Sequence, residues 1–137
     1  LAAKESNAEV GPVIVKNTVF GDISKGKKIT LENIYFDQSS PVLRKESFKQ
    51  LDDLAKILSE NPTLSIEIRG HTDNVGDFFE NVKLSKSRCE SVMEYLSGKG
   101  IAKNRLSVIG RGPIEPLAPN DTEENKKKNR RVEFVVL

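Results

Sequence analysis

Two periodicities meet at Gly70, and their junction limits what this chain can fold into. Before it, Leu64, Ile66 and Ile68 alternate with Ser65, Glu67 and Arg69, the period-two pattern of a half-buried strand. After it, from about Phe79 to Ser97, Cys89, Val92 and Leu96 recur at helical spacing, and Gly98 and Gly100 end the run. Between them lies the loop Thr72-Asp73-Asn74-Val75-Gly76. A long helix leaving a strand in this way can act as a crossover to a parallel neighbour.

The remaining segments extend this arrangement. Val13-Ile14-Val15 and Val19-Phe20 predict a short strand or two, and Ile29 to Phe36 a strand rich in β-branched and aromatic residues. Between Val42 and Ser59, Phe48, Leu51, Leu54, Ala55 and Leu58 predict a helix that Asn61-Pro62 stops. Leu106 to Ile109 predicts another strand, Asp121 to Lys128 a short helix, and Val132 to Val136 a final strand. This order implies an α+β two-layer sandwich, with helices packed on one mixed sheet. A chain of 137 residues fits one domain. Residues 1–28 are expected to form an N-terminal tail with the short strand or strands, linking to a missing preceding region, and residues 29–137 the domain proper. The opening Leu-Ala-Ala-Lys has neither an initiator methionine nor a signal peptide, so we expect a mature or excised piece of something longer.

Several classes of chemistry find little support. The net charge of +2 supplies no strong field toward nucleic acid or anionic lipid. No run approaches the roughly 18 apolar residues of a membrane-spanning helix. Cys89 is the single cysteine and falls on the apolar side of its helix, where a small core residue belongs. His71 is the single histidine, without a cysteine pair or second histidine for a metal. Ser85 and Ser87 lack a nucleophile-elbow sequence. Asp73 and Asp77 lie in a polar loop, which does not raise one carboxyl for acid–base work. No enzyme activity and no cofactor are therefore expected. The basic run Lys126-Lys127-Lys128-Asn129-Arg130-Arg131 invites a polyanion or nucleic-acid reading, but no aromatic interleaves to stack bases. Asp121, Glu123 and Glu124 precede it, an order that suits a helix dipole in a solvated helix end.

The loop and helix also form a candidate binding constellation. Asn81 and Arg88 are seven residues apart, on one helix face, and Ser85 shares that face and could orient the arginine. Asp73 follows the strand end. On spacing alone it suits a turn or a cap, and Arg88 suits a snorkelling surface residue. The functional alternative pairs them: a carboxylate beside a bidentate guanidinium can grip a ligand bearing both an amine and a carboxylate.

The residues Ile34-Tyr35-Phe36-Asp37, Gly70 to Gly76, and Asn81 to Arg88 occur in order with Tyr95-Leu96, Gly100-Ile101, Arg105-Leu106, Gly110, Gly112, Pro116, Asn120 and Asn129-Arg130-Arg131-Val132-Glu133. In this the chain resembles the OmpA-like C-terminal domain, a peptidoglycan-binding module of bacterial envelope proteins, from about Ile29 to Val136. The resemblance implies a βαβαβ-type fold and a non-covalent grip on meso-diaminopimelate in the stem peptide. It implies that Asp73 and Arg88 hold the amine and carboxylate of that residue, with loop amides around Asn74, Asn81 and Arg130 in support. Asp37 and Thr72 are implied at the rim. The expected setting is the Gram-negative periplasm, associated with the outer membrane through a missing region of the parent protein. A motor stator or secretion complex is the alternative parent. The chain departs from the family pattern at Asn125-Lys126, where Gly-Arg is common, and at Cys89, where a small residue is usual.

Overall fold

The junction at Gly70 folds as a strand, Ile66–His71, running into a 21-residue helix, Phe78–Gly98. A computed structural model of the chain describes residues 11–137 apart from Asn33 and Gln38. Its strands are β1 (Val13–Val15), β2 (Ile23–Ser24), β3 (Lys28–Leu31), β4 (Ile66–His71), β5 (Leu106–Gly112) and β6 (Arg131–Val136). Its helices are α1 (Phe48–Glu60), α2 (Phe78–Gly98) and α3 (Glu123–Asn129). The tail expected over residues 1–12 lies outside the described residues up to position 10.

Four strands form the main sheet in the order β3-β6-β4-β5, while β1 and β2 pair separately. β4 and β5 are parallel, as a helical crossover allows, and β6 runs antiparallel to both β3 and β4. Alternation decides the faces. Ile66, Ile68, Phe134 and Val136 point toward the helices and meet Leu51, Leu54 and Leu58 of α1 and Cys89, Val92 and Leu96 of α2 in the core. Glu67, Arg69, His71, Arg131 and Glu133 consequently share the opposite face.

Helix α2 lies directly on the sheet. A Cβ on Gly70 would come 2.6 Å from the Ser85 carbonyl oxygen, and one on its β5 neighbour Gly110 would come 2.5 Å from the Lys86 nitrogen. These two glycines let the helix approach, and its second and third turns, from Val82 to Cys89, lie over Gly70 of β4 and Gly110 of β5. The start of α2 is fixed by Asp77, whose carboxylate accepts the Glu80 N–H at 2.9 Å. Its end is fixed by Gly100 at φ +98°, beside an Ile101 N–H that returns to the Leu96 carbonyl.

Three boundaries differ from the sequence reading. Val19 and Phe20 lie in a turn capped by Asn17 Oδ1, and the second short strand falls at Ile23–Ser24 instead. The strand expected to Phe36 stops at Leu31, because Leu31 pairs with Val132 and β6 begins one residue before that. Phe36 makes a single bridge to Leu43. That bridge occupies the chain where a helix from Val42 was expected, so α1 begins at Phe48, after a 3₁₀ turn over Lys45–Ser47.

Candidate functional site

The loop after β4 is held from several directions. The Thr72 N–H donates to the Gly112 carbonyl at 2.9 Å and its hydroxyl to the Asp73 carbonyl at 2.7 Å. Asp73 is buried, with 8% of its surface exposed. Its Oδ1 accepts the Val75 N–H at 3.0 Å, a turn-forming contact, and its Oδ2 accepts from Arg130 Nη1 at 2.6 Å. From the first turn of α2, Asn81 Nδ2 reaches back to the Val75 carbonyl at 2.9 Å. Gly76, at φ +93°, reverses the loop, and Asn74 at its tip is exposed.

Arg130 sits between α3 and β6. Besides Asp73 it engages Glu123 Oε2 at 2.5 Å through Nη2. Burial works against its charge, but hydrogen bonds to Asp73 and Glu123 outweigh burial and raise its pKa.

Arg88 is held by main chain. Its Nε donates to the Ser40 carbonyl at 2.9 Å and its Nη2 to the Asp37 carbonyl at 3.1 Å. Its guanidinium carbon lies 4.9 Å from the centre of the Phe36 ring. Nη1 has no acceptor among the described residues. The Ser91 hydroxyl bonds the Pro41 carbonyl at 2.5 Å and ties the same 37–41 segment to α2. Burial, and next the charge of Arg130, lower the pKa of Arg88. Arg130 contacts Asp73 directly and acts on Arg88 only through its charge.

The predicted residues are thus distributed differently from the sequence expectation. Asn81 and Ser85 do not orient Arg88. Ser85 is buried, donates to the Val82 carbonyl at 2.8 Å and accepts the Gly112 N–H at 3.0 Å, because it faces β5. Asp37 offers Arg88 its carbonyl, while its exposed carboxylate lies 3.5 Å from Arg44. Phe36, Ser40 and Glu123 were not singled out as site residues. Phe36 adjoins the quoted Asp37 and was the findable one, whereas a main-chain acceptor such as Ser40 leaves no side-chain signature. The departure at Asn125-Lys126 leaves α3 intact, with Asn125 bonded to Thr122 Oγ1 at 3.1 Å and Asp121 Oδ1 at 2.8 Å.

Chemically, the site offers one buried carboxylate and two guanidiniums. Each Asp73 oxygen retains acceptor capacity beyond the bond it already makes, and Arg88 Nη1 retains its N–H groups without an acceptor among the described residues. A ligand presenting an ammonium to the first and a carboxylate to the second is matched in both charges. Among the described residues no group of three or more His, Cys, Asp or Glu side chains is arranged to hold a metal.

The chain has relatives among known proteins. The OmpA family model matches residues 35–130. The chain is 36% identical over 104 residues to the probable lipoprotein YiaD of Escherichia coli K12, covering 76% of this chain and 48% of that protein. It is 36% identical over 103 residues to the peptidoglycan-binding protein ArfA of Mycobacterium tuberculosis H37Rv, covering 75% of this chain and 32% of that one. Among solved structures, a MotB-like protein from Desulfovibrio vulgaris superposes with a TM-score of 0.73 at 32% identity, covering 86% of this chain and 78% of that one. The chain spans about half or less of the length of these two curated relatives.

Proposed function

We propose that this chain, which belongs to the OmpA family, binds peptidoglycan non-covalently through the meso-diaminopimelate residue of the stem peptide. Asp73 takes the ammonium of that residue and Arg88 its carboxylate, while Arg130 fixes Asp73 and adds positive charge. Thr72, Asn74, Asn81 and Asp37 shape the loop and rim. The observation that supports this reading is the buried Asp73 carboxylate bonded to Arg130 at 2.6 Å, with Arg88 on α2, the helix that follows the Asp73 loop. The site binds and does no chemistry. In this reading the domain anchors an outer-membrane protein or lipoprotein to the cell wall from the periplasm of a Gram-negative bacterium. Individually weak contacts suit such a task, because many copies on a repeating polymer hold firmly while each one exchanges.

Co-sedimentation with purified peptidoglycan tests the site. Charge-assisted contacts shielded from water contribute roughly 1.5–3 kcal/mol each, so Asp73→Ala and Arg88→Ala should each cost about ten- to a hundredfold in affinity, with circular dichroism unchanged. Full retention of binding by both folded variants would remove Asp73 and Arg88 from the site. A second reading, favoured by the likeness to a MotB-like structure, keeps the same grip but places the domain in a motor stator or secretion complex.

A further inference from the structure

A second polar cluster lies just inside the binding residues. Four buried side-chain atoms without a hydrogen-bond partner among the described residues belong to it: His71 Nδ1 and Nε2, Arg131 Nη1 and Glu133 Oε2. The side chains of His71, Glu133 and Arg131 are 1%, 2% and 7% exposed. Glu133 is the hub. Its Oε1 lies 3.1 Å from Arg131 Nε, and its Oε2 lies 3.2 Å from His71 Nε2 and 3.8 Å from Lys28 Nζ.

The sheet register explains why this matters to the site. His71 and Arg131 are cross-strand partners, the last pair of the β4–β6 ladder. One or two residues beyond them along each strand stand Asp73 and Arg130, in contact with each other. Three polar residues buried on the sheet face away from α1 and α2 are costly to retain, since an apolar set would fill the same space. Their location suggests what they contribute: they brace the two strand ends from which the binding pair projects.

We propose that His71 is a positioning residue for the Asp73–Arg130 pair. Its Nε2 stands 3.2 Å from Glu133 Oε2 in a close polar contact, and with Arg131 on the other carboxylate oxygen this fixes the end of β4 against the start of β6. The inference rests on the reading of Asp73 as the ammonium-binding carboxylate. His71 itself touches no ligand.

The test compares His71→Leu, which keeps bulk without a polar atom, with His71→Gln, whose amide nitrogen can keep the polar contact to Glu133 Oε2. Two measurements are made on the folded chain. One is calorimetric affinity for a stem peptide containing meso-diaminopimelate. The other, without peptide, is the rotation rate of the Arg130 guanidinium in NMR spectra, which is slowest while Asp73 and Glu123 both hold it. His71→Leu should lose about tenfold in affinity, within the usual range of coupling between sites, and its Arg130, left with Glu123 alone, should rotate faster than in the wild type. His71→Gln should recover most of both. The proposal is overturned if both variants keep wild-type affinity and slow Arg130 rotation, or if glutamine rescues neither. Should the wild-type chain fail to bind the peptide, the functional reading falls, while the NMR comparison still decides the positioning role. If His71→Leu does not fold, Glu133→Gln replaces it, because its amide weakens the same brace. Intermediate losses in both measurements then support the proposal, and wild-type values contradict it.

Discussion

Burial and neighbouring charge set the chemistry of single residues, and Cys89 and Glu133 show it in opposite directions. Cys89 packs between α2 and the sheet, its sulfur 3.7 Å from the Ile109 carbonyl. Burial, then the charges of Glu90 and Glu133, push its thiol up to about 12. At neutral pH only about one molecule in 10⁵ is then thiolate, so Cys89 should resist a thiol reagent in the native state and react on unfolding. Fast labelling of the folded chain would contradict the buried position. Glu133 is buried too, which alone would raise its carboxyl, but His71 first, then Arg131 and Lys28, hold it below the ordinary value of 4.5. A carboxyl lowered in the folded state stabilises the fold above its unfolded pKa, and that contribution fades as pH falls through the lowered value. Stability measured by denaturant titration should therefore drop below about pH 4.5 in the wild type, and Glu133→Gln should flatten that drop while lowering stability at neutral pH. At this scale the sequence makes the charged residues of the site legible, because their types and spacing carry the resemblance. It hides how Arg88 is held, since the acceptors are carbonyls of Asp37 and Ser40, about 50 positions away.

The contact between α2 and the β4–β5 pair positions the site among the elements. Gly70 and Gly110 are adjacent across the strands, and the atom nearest to a Cβ at each belongs to the helix backbone, which cannot swing aside as a side-chain end can. Gly110→Ala should therefore cost about 1–3 kcal/mol by overpacking, visible as a lower thermal midpoint. An unchanged midpoint would mean that the helix does not lie so close. Both elements at Gly70 were legible because each periodicity is long and clean. The end of β3 was not, because the strand stops where its partner β6 runs out, and no local signal in Ile29–Phe36 records that. The start of α1 was obscured in the same way by the Phe36–Leu43 bridge. The basic run also reads differently once folded. Arg130 is committed to Asp73 and Glu123, and Arg131 to Glu133, so the two arginines do not join the lysines as a free patch. Filter binding at two salt concentrations should accordingly show no appreciable DNA affinity. Strong binding that falls steeply with salt would restore the polyanion reading.

At the scale of the whole molecule, β6 inserts between β3 and β4 and brings Arg130 to Asp73 from a position 57 residues away in sequence. The fold class and the mixed sheet were legible from the order of elements. The strand order was not, because a terminal strand can add to a sheet in either direction and its place depends on which edge it covers. That placement makes the Asp73–Arg130 pair a convergence of the β4–α2 loop with the entry to β6, while the 37–41 loop meets α2 at Arg88. The reading that this convergence recognises an amine and a carboxylate on one residue is tested most directly by titrating the chain with two stem peptides, one bearing meso-diaminopimelate and one bearing lysine. Lysine lacks the second carboxylate, so the diaminopimelate peptide should bind at least tenfold more tightly, in line with one lost charge-assisted contact. Equal affinities would contradict it, since Arg88 would then not be reading that carboxylate.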